Sequence, residues 1–459
     1  MERVEKFLEN AEKQVFDVEQ KSILKKSFSQ YENYFSEAVL QYENLDLAKK
    51  RAANLKNKTI EELDKYLVDF ETNFTKKGGK IIWAQDDKEA LQEILQILKK
   101  HDAKTVVKAK SMLTEEIELN KFLHENQIEA LETDVGQYIQ QVAEETSYHL
   151  VNPSIHKSKA QINKLLNEKK GVHPESSAED MVFFIRNSLR SNYFSAQVGI
   201  SGANFLIADT GSVALTENEG NIGLSVSCPK IHIVIAGIEK MIPSMNDLDL
   251  FWSLLATYGT GQNLTAYNSI VSGPRQTGET DGPEEMYVIL LDNGRSNLLA
   301  EQDRRAALSC IRCGACQNVC PVFQNIGGHA YDTTYGGPIG SVITPHLKGM
   351  DGYKHLSFAS SLCGKCTQSC PVNIDIHKML LYNRRDSIKT GNTTKAENWM
   401  WFFWKGAMLK RAKMEKGGAK VKNFMLKQFF KKSWGERRDL PQVAAKSFNQ
   451  IWRERMKIS

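Results

Sequence analysis

Seven of the eight cysteines fall between residues 310 and 370, and their spacing suits soft-metal chemistry. The first run is Cys310-Ile311-Arg312-Cys313-Gly314-Ala315-Cys316-Gln317-Asn318-Val319-Cys320-Pro321, a complete C-x2-C-x2-C-x3-C-P. Three closely spaced thiolates can each take one iron of a cubane. The fourth, followed by proline, leaves on a new segment and in two-cluster ferredoxins ligates the other cluster. Gly314 lets the backbone pass close to such a bulky group. The second run, Cys363-Gly364-Lys365-Cys366-Thr367-Gln368-Ser369-Cys370-Pro371, matches the last three positions of the same pattern, with Ser360 where the first cysteine would stand. Swapped ligation then predicts Cys310, Cys313, Cys316 and Cys370 on cluster one, and Cys320, Cys363 and Cys366 on cluster two. Three readings of the open position compete: Ser360 ligates through oxygen, a solvent or partner group fills it, or cluster two is a [3Fe–4S] centre. Structural zinc pairs separate C-x2-C knuckles, so an uninterrupted four-cysteine run fits it poorly.

The elements that must hold these thiols are readable around them. A length of 459 residues implies two or three domains. No apolar run reaches the roughly 18–20 residues needed to cross a bilayer. The start Met1-Glu2-Arg3-Val4-Glu5-Lys6 lacks a secretory apolar stretch, so a reducing cytoplasmic location is expected, in which clustered cysteines bind metal rather than pair. Residues 1–76 read as helical, with Ile60, Leu63, Leu67, Phe70 and Phe74 on one face and Gly78-Gly79 as the stop. From 80 to 292 strands alternate with helices. Lys80–Ala84, Thr105–Val107, Phe205–Ala208, Ile231–Ala236 and Tyr287–Leu291 read as strands and Lys88–Lys100 as an amphipathic helix, which predicts an α/β sheet covered on both faces. The polar stretch 257–283 reads as a functional loop. The 42 residues between the cysteine runs include Gly327-Gly328 and Gly336-Gly337-Pro338 and are flanked by helix-forming sequence, which suggests an α-helical ferredoxin-type module.

The chain resembles the lactate utilization protein B iron–sulfur proteins over nearly its whole length. The likeness is carried by Lys110–Ile117, Gly202–Ser212, Thr216–Asn221, Ala236–Lys240, Gly327-Gly328-His329 and Ser360–Cys363, and the three-cysteine second motif resembles that family's own habit. The resemblance implies four regions: N-terminal helices over 1–65, a LUD domain over 66–292, a dicluster module over 293–390 and a basic aromatic region over 391–459. The LUD fold would be similar to the sugar-phosphate isomerase and CoA-transferase group. The resemblance also implies an electron-transfer component in the oxidation of L-lactate to pyruvate, with lactate utilization proteins A and C as partners.

Other residues carry weaker signals. Glu217 and Glu219 sit in a Gly/Asn turn, where a nucleophilic carboxylate is one reading and a plain polar turn the better one. A further reading is a small-anion or substrate pocket lined by Gly202, Thr210, Gly211, Ser212 and Glu217, to which Gly273-Pro274-Arg275 could add a cation. Cys228 reads as a buried structural thiol, and His329, His346, His355 and His377 as surface or hydrogen-bonding residues. From Lys395 onward 17 Lys+Arg face 5 Asp+Glu, a net +12 that leaves the body at −7, so the basic character belongs to the tail. The tail interleaves Trp399, Trp401, Trp404, Trp434 and Trp452 with Lys405, Lys410, Arg411, Lys431, Lys432, Arg437 and Arg438. Packing on the cluster module plus docking of a partner is favoured for it over peripheral membrane contact, and nucleic acid is not expected. The rival to an electron carrier is a self-contained enzyme that uses the LUD domain or an open iron on a small acyl or sugar-phosphate substrate. A third reading, an iron–sulfur nucleic-acid protein, rests on the tail alone.

Overall fold

β-Branched runs that alternate with amphipathic helices bury both faces of a sheet, and here they make a parallel one. The computed structural model describes residues 2–434 and 439–456. It separates into two compact units, Met1–Ser387 and Ile388–Ser459. The strands of the first unit are, in chain order, β1 (Lys80–Ala84), β2 (Thr105–Lys108), β3 (Glu129–Glu132), β4 (Val198–Ser201), β5 (Phe205–Ile207), β6 (Ser212–Glu217), β7 (Ile231–Gly237), β8 (Met241–Ile242), β9 (Tyr267–Val271) and β10 (Glu285–Leu291). Six form a wholly parallel sheet in the order β1-β10-β7-β4-β2-β3. The other four form a mixed sheet, β8-β5-β6-β9. Every residue of β4 and β7 is buried, as expected of central strands covered on both faces. The helix Asp87–Lys100 starts where the Asp86 carboxylate accepts the Glu89 N–H at 2.9 Å.

The stretch 257–283 differs from its reading as a loop. It holds the end of helix Leu248–Thr260 and strand β9, which pairs with β6 and so satisfies backbone groups that a bare loop would leave to water. Residues 261–266 and 272–283 are irregular.

Residues 2–76 form the helices Glu2–Phe16, Val18–Ala38, Leu45–Glu61 and Leu63–Lys76. Ile60, Leu63, Leu67, Phe70 and Phe74 are all buried, although Ile60 belongs to the helix before the break at Glu62. These helices clasp the cysteine segment to the sheet domain. Tyr31 donates its hydroxyl to the Tyr258 carbonyl at 2.8 Å, Asn57 and Ser309 share a 3.0 Å hydrogen bond, and Phe7 packs edge-on to Tyr331. Among the described residues no strand follows β10. The cysteines are carried by short helices, with Pro321–Ile326, Gly337–Leu347 and Met350–Phe358 between the two motifs.

The second unit is helical over Lys395–Met408, Arg411–Glu415, Gly418–Met425, Lys431–Trp434 and Phe448–Met456. Gly417 and Gly418, at φ +85° and +61°, break the run as their sequence suggests. All five tryptophans of the tail are exposed, at 43–61%. Arg437 and Arg438 lie outside the described residues. No helix among the described residues is long and apolar enough to cross a membrane.

Candidate functional site

The two cysteine runs fold into the same turn twice. In the first, Cys310 is extended, Arg312 takes a left-handed φ of +62°, and its N–H points at the Cys310 sulfur at 3.4 Å. Gly314, at φ +77°, opens the short helix Ala315–Asn318. Cys320 then caps Pro321–Ile326, its sulfur accepting the Phe323 N–H at 3.5 Å. In the second, Leu362 is left-handed at φ +55° and its N–H points at the Ser360 hydroxyl at 3.1 Å. Gly364, at φ +81°, opens Lys365–Gln368, and the Cys370 sulfur accepts the Ile374 N–H at 3.3 Å. Ser360 therefore occupies in its turn the place that Cys310 occupies in the other.

Cys313, Cys316, Cys320, Cys366 and Cys370 are buried, Cys310 is half-buried and Cys363 is exposed. Burial pushes the thiols up, Cys366 to about 11 and Cys370 to about 12, with Cys313 and Cys316 raised further. Their smaller mutual effects show which sulfurs are neighbours. Cys313 is raised by Cys310 and Cys370, and Cys316 by Cys310 and Cys313. Cys366 is raised by Cys320 and Cys363, and Cys320 by Cys363. By these mutual effects the thiols fall into one set of four (310, 313, 316 and 370) and one of three (320, 363 and 366), with a weaker influence of Cys366 on Cys316 linking them. Buried thiols with raised pKa values do not ionise unaided. A bound metal stabilises the thiolate, and sets made wholly of sulfur suit iron–sulfur centres.

The four histidines have other partners. His329 bonds the Thr146 carbonyl at 2.8 Å, His346 the Asn383 amide oxygen at 2.9 Å and His377 the Thr367 hydroxyl at 2.7 Å, while His355 packs on Phe7 and Tyr353. Cys228 is half-buried beside the apolar group around Leu166 and Ile185, apart from the other thiols.

A cavity of about 280 Å³ opens at the carboxyl ends of β2, β4 and β7, the edge at which α/β sheets bind ligands. Gly202 and Glu217 line it, as expected. Thr210, Gly211 and Ser212 do not. The Thr210 carbonyl accepts Lys77 at 2.6 Å, and a Cβ on Gly211 would lie 2.2 Å from the Phe74 nitrogen, so this end of the β5–β6 hairpin is packed against the helix Leu63–Lys76. Arg275 is spent on Glu284 at 3.6 Å and on the Thr280 carbonyl. The Glu217 carboxylate accepts the N–H groups of Ile222 and Gly223 at 2.6 and 2.8 Å, which satisfies two first-turn donors of the helix Asn221–Ser227. Burial and the neighbouring Asp134 push Glu219 up to about 7.

The residues missed by sequence reasoning are the cations of this cavity, Lys110, Lys240, Arg295 and Arg312. Arg295 is fully buried and bidentate to Glu116, at 3.0 and 2.8 Å, and reaches Glu239 at 2.7 Å. Arg312 completes the chain, 3.2 Å from Glu239 and 4.7 Å above the Tyr335 ring, whose hydroxyl donates to Glu116 at 2.6 Å. Lys56 donates to the Glu239 and Met241 carbonyls, and burial pulls its amine down to about 7. The only available signal was position: Lys110 and Lys240 sit at the ends of runs singled out above, and Arg312 sits between two cysteines of the first motif.

A LUD domain family matches residues 67–291, and a 4Fe-4S dicluster domain matches residues 306–374. The lactate utilization protein B of Shouchella clausii is 40% identical over 88% of each chain. That of Bacillus cytotoxicus is 42% identical over 88% of this chain and 87% of its own. The chain belongs to the lactate utilization protein B family. A solved DUF162 family protein from Deinococcus radiodurans covers 50% of this chain at 14% identity, with a TM-score of 0.27 that is too low to carry an argument. In this family member the dicluster match contains all seven clustered cysteines, and the chain carries iron–sulfur clusters accordingly. The LUD match supplies Lys110 and Lys240 to the cavity and the dicluster match supplies Arg312 and Tyr335, so the wall is shared between them.

Proposed function

We propose that this chain is the iron–sulfur electron-transfer subunit of an assembly that oxidises L-lactate to pyruvate. One observation carries the reading: two turns of the same backbone form gather seven thiols into a set of four and a set of three. Cys310, Cys313, Cys316 and Cys370 would hold the first cluster, and Cys320, Cys363 and Cys366 the second. Ser360, lying where Cys310 lies in the other turn, is the favoured fourth ligand over a solvent or partner group or a [3Fe–4S] centre. When bound, the clusters supply one-electron transfer.

The chain's own residues set the conditions. Lys240, Lys56 and Arg312 place positive charge beside Cys310, and Lys49 does so beside Cys370, offsetting the negative charge of thiolate ligation. Ser361, Cys363 and Lys365 are exposed, so the second motif presents the edge that a redox partner can approach. The relatives' name supports lactate as the substrate, with partners resembling lactate utilization proteins A and C; a cytoplasmic setting is part of the same proposal. The basic aromatic tail is assigned to docking such a partner. The regions would be helices over 1–65, a LUD domain of sugar-phosphate isomerase and CoA-transferase type over 66–292, an α-helical ferredoxin-type module over 293–390 and the tail over 391–459.

Anaerobic iron and sulfide analysis with EPR of the pure protein tests this. About seven or eight irons and two distinct signals are expected. Zinc in place of iron, or a single cluster, overturns it. The cavity favours one rival, a self-contained enzyme acting on a small acyl or sugar-phosphate substrate, which requires turnover by the purified chain alone.

A further inference from the structure

The cavity at the carboxyl edge of the sheet is closed on one side by the first cysteine turn. A Cβ on Gly259, which lines it, would lie 3.5 Å from the Cys313 carbonyl, and Arg312 reaches into the same wall from between Cys310 and Cys313. The hydrogen bonds of this wall leave an uneven balance. Glu239 is taken by Arg295 and Arg312, Glu116 by Arg295 and Tyr335, and Glu217 by two backbone N–H groups. Lys110 is committed to the Leu150 and Val151 carbonyls at 2.7 and 2.8 Å. Two cations keep donors to spare. Arg312 has a side chain only 10% exposed, yet its Nη1 has no hydrogen-bond partner. Lys240 lines the cavity, and among the described residues no hydrogen bond to its amine is found. An unpartnered buried guanidinium nitrogen is costly to leave unmet, which points to a missing acceptor.

We propose that this cavity binds a small monocarboxylate with an oxygen on the neighbouring carbon, a 2-hydroxy or 2-oxo acid, held by Arg312 and Lys240 beside the first cysteine turn. The proposal rests on the electron-transfer reading and gives it a substrate site within this chain.

Three features select that chemistry. A planar guanidinium is suited to a carboxylate, and its position is fixed by Glu239 and by the Tyr335 ring. Asp134, Glu217 and Glu219 also line the cavity, which disfavours a dianion such as a phosphate. Glu219 there can donate a proton to a hydroxyl or carbonyl oxygen, since burial raises its pKa to about 7. Ala203, Leu215, Ala236 and Leu255 supply the apolar wall that a short alkyl chain needs, and the volume of about 280 Å³ lies at the small end of ligand sites, about 300–1,000 Å³.

Equilibrium binding to the full-length, cluster-loaded protein under anaerobic conditions tests the proposal, with pyruvate, L-lactate, acetate and inorganic phosphate as probes and calorimetry as readout. Pyruvate and L-lactate should bind, acetate should bind more weakly, and phosphate should neither bind nor compete. Arg312→Gln and Lys240→Met should each weaken pyruvate binding about tenfold or more. Iron content and EPR are measured on every sample. Protein with both clusters intact that binds neither acid overturns the proposal and leaves the carrier reading standing, whereas missing clusters overturn the carrier reading itself. Should Arg312→Gln lose its cluster, Lys240→Met decides alone: unchanged pyruvate affinity in that variant refutes the site, as does phosphate binding more tightly than pyruvate.

Discussion

Gly314 and Gly364 hold the same place in the two turns, at φ +77° and +81°. Alanine at either carries the same left-handed penalty, about 1–2 kcal/mol. It also brings the same gain from stiffening the unfolded chain, about 0.4–1 kcal/mol. Both effects cancel when the two variants are compared, and only the surroundings differ. A Cβ on Gly314 would sit 3.1 Å from Cε1 of His149 and from Cγ2 of Val151, while one on Gly364 meets nothing within 4 Å. The His149 ring is poorly placed to retreat. It is 1% exposed, and its Nδ1 accepts the N–H groups of Val151 and Asn152 at 3.1 and 3.2 Å. Overpacking of a tight interior costs about 1–3 kcal/mol, so Gly314→Ala should be less stable than Gly364→Ala by that amount. Anaerobic guanidinium titration of the two cluster-loaded variants, followed by the visible absorbance of the clusters, measures the difference. Gly314→Ala should release iron at clearly lower denaturant. Equal midpoints would refute the idea that the segment around His149 shapes the first turn.

The ligand sets make separable predictions. Cys313→Ala should lose the first cluster and Cys366→Ala the second, each leaving about half the iron and one EPR signal. Full lactate-dependent electron transfer by the intact assembly carrying either variant would sink the carrier role. Ser360→Cys should change the spectrum of the second cluster alone, and an unchanged spectrum would mean that position 360 does not face the iron. Arg295→Met strips Glu116 and Glu239 of their buried partner and should cost about 3–5 kcal/mol in thermal or denaturant unfolding, against near-neutrality if the network is ornamental. The same network predicts acid sensitivity. Burial opposes ionisation of Glu239, but Arg295 and Arg312 outweigh it and hold the carboxyl at about 2 against an ordinary 4.5. A depressed folded value means that its stabilising effect is complete above pH 4.5 and is lost as the pH falls toward 2. Wild type should therefore lose stability across that window, and Glu239→Gln should show a flatter profile.

The sequence made the strands and the cysteines legible for a shared reason. β-Branched runs such as Ile231–Gly237 are buried on both faces, and ligand spacing is local, so each signal is complete within about ten residues. The cavity was half legible. Gly202 and Glu217 were named, but Thr210 and Gly211 are near them in sequence and far from them in space, because the β5–β6 hairpin carries its tip to the opposite end. The pairing of Arg295 with Glu116 and Glu239 was not legible, although both glutamates lie within runs that carry the resemblance. Their pairing joins positions as much as 179 residues apart, and no local pattern distinguishes a buried charge from a solvated one. The break at Glu62 was missed because apolar spacing continues across it into the next helix.

What separates the two turns lies at one backbone position. The residue before Cys313 and the residue before Cys363 are both left-handed without being glycine, a conformation that costs about 1 kcal/mol or more. Such strain persists only where surrounding contacts hold it. At Arg312 the contacts are Glu239 and the Tyr335 ring, so the side chain is drawn toward the LUD cavity. At Leu362 the contacts are apolar, part of the packing around Cys366 and Cys370. One backbone form thus turns a cation toward the cavity in its first copy and seals against the core in its second. The thiols next to this position differ in the same sense, with Cys313 buried and its counterpart Cys363 exposed. Burial beside a cavity suits the end of a relay that meets a small substrate, and exposure suits the end that meets another protein, so the proposed relay would run from the first motif to the second.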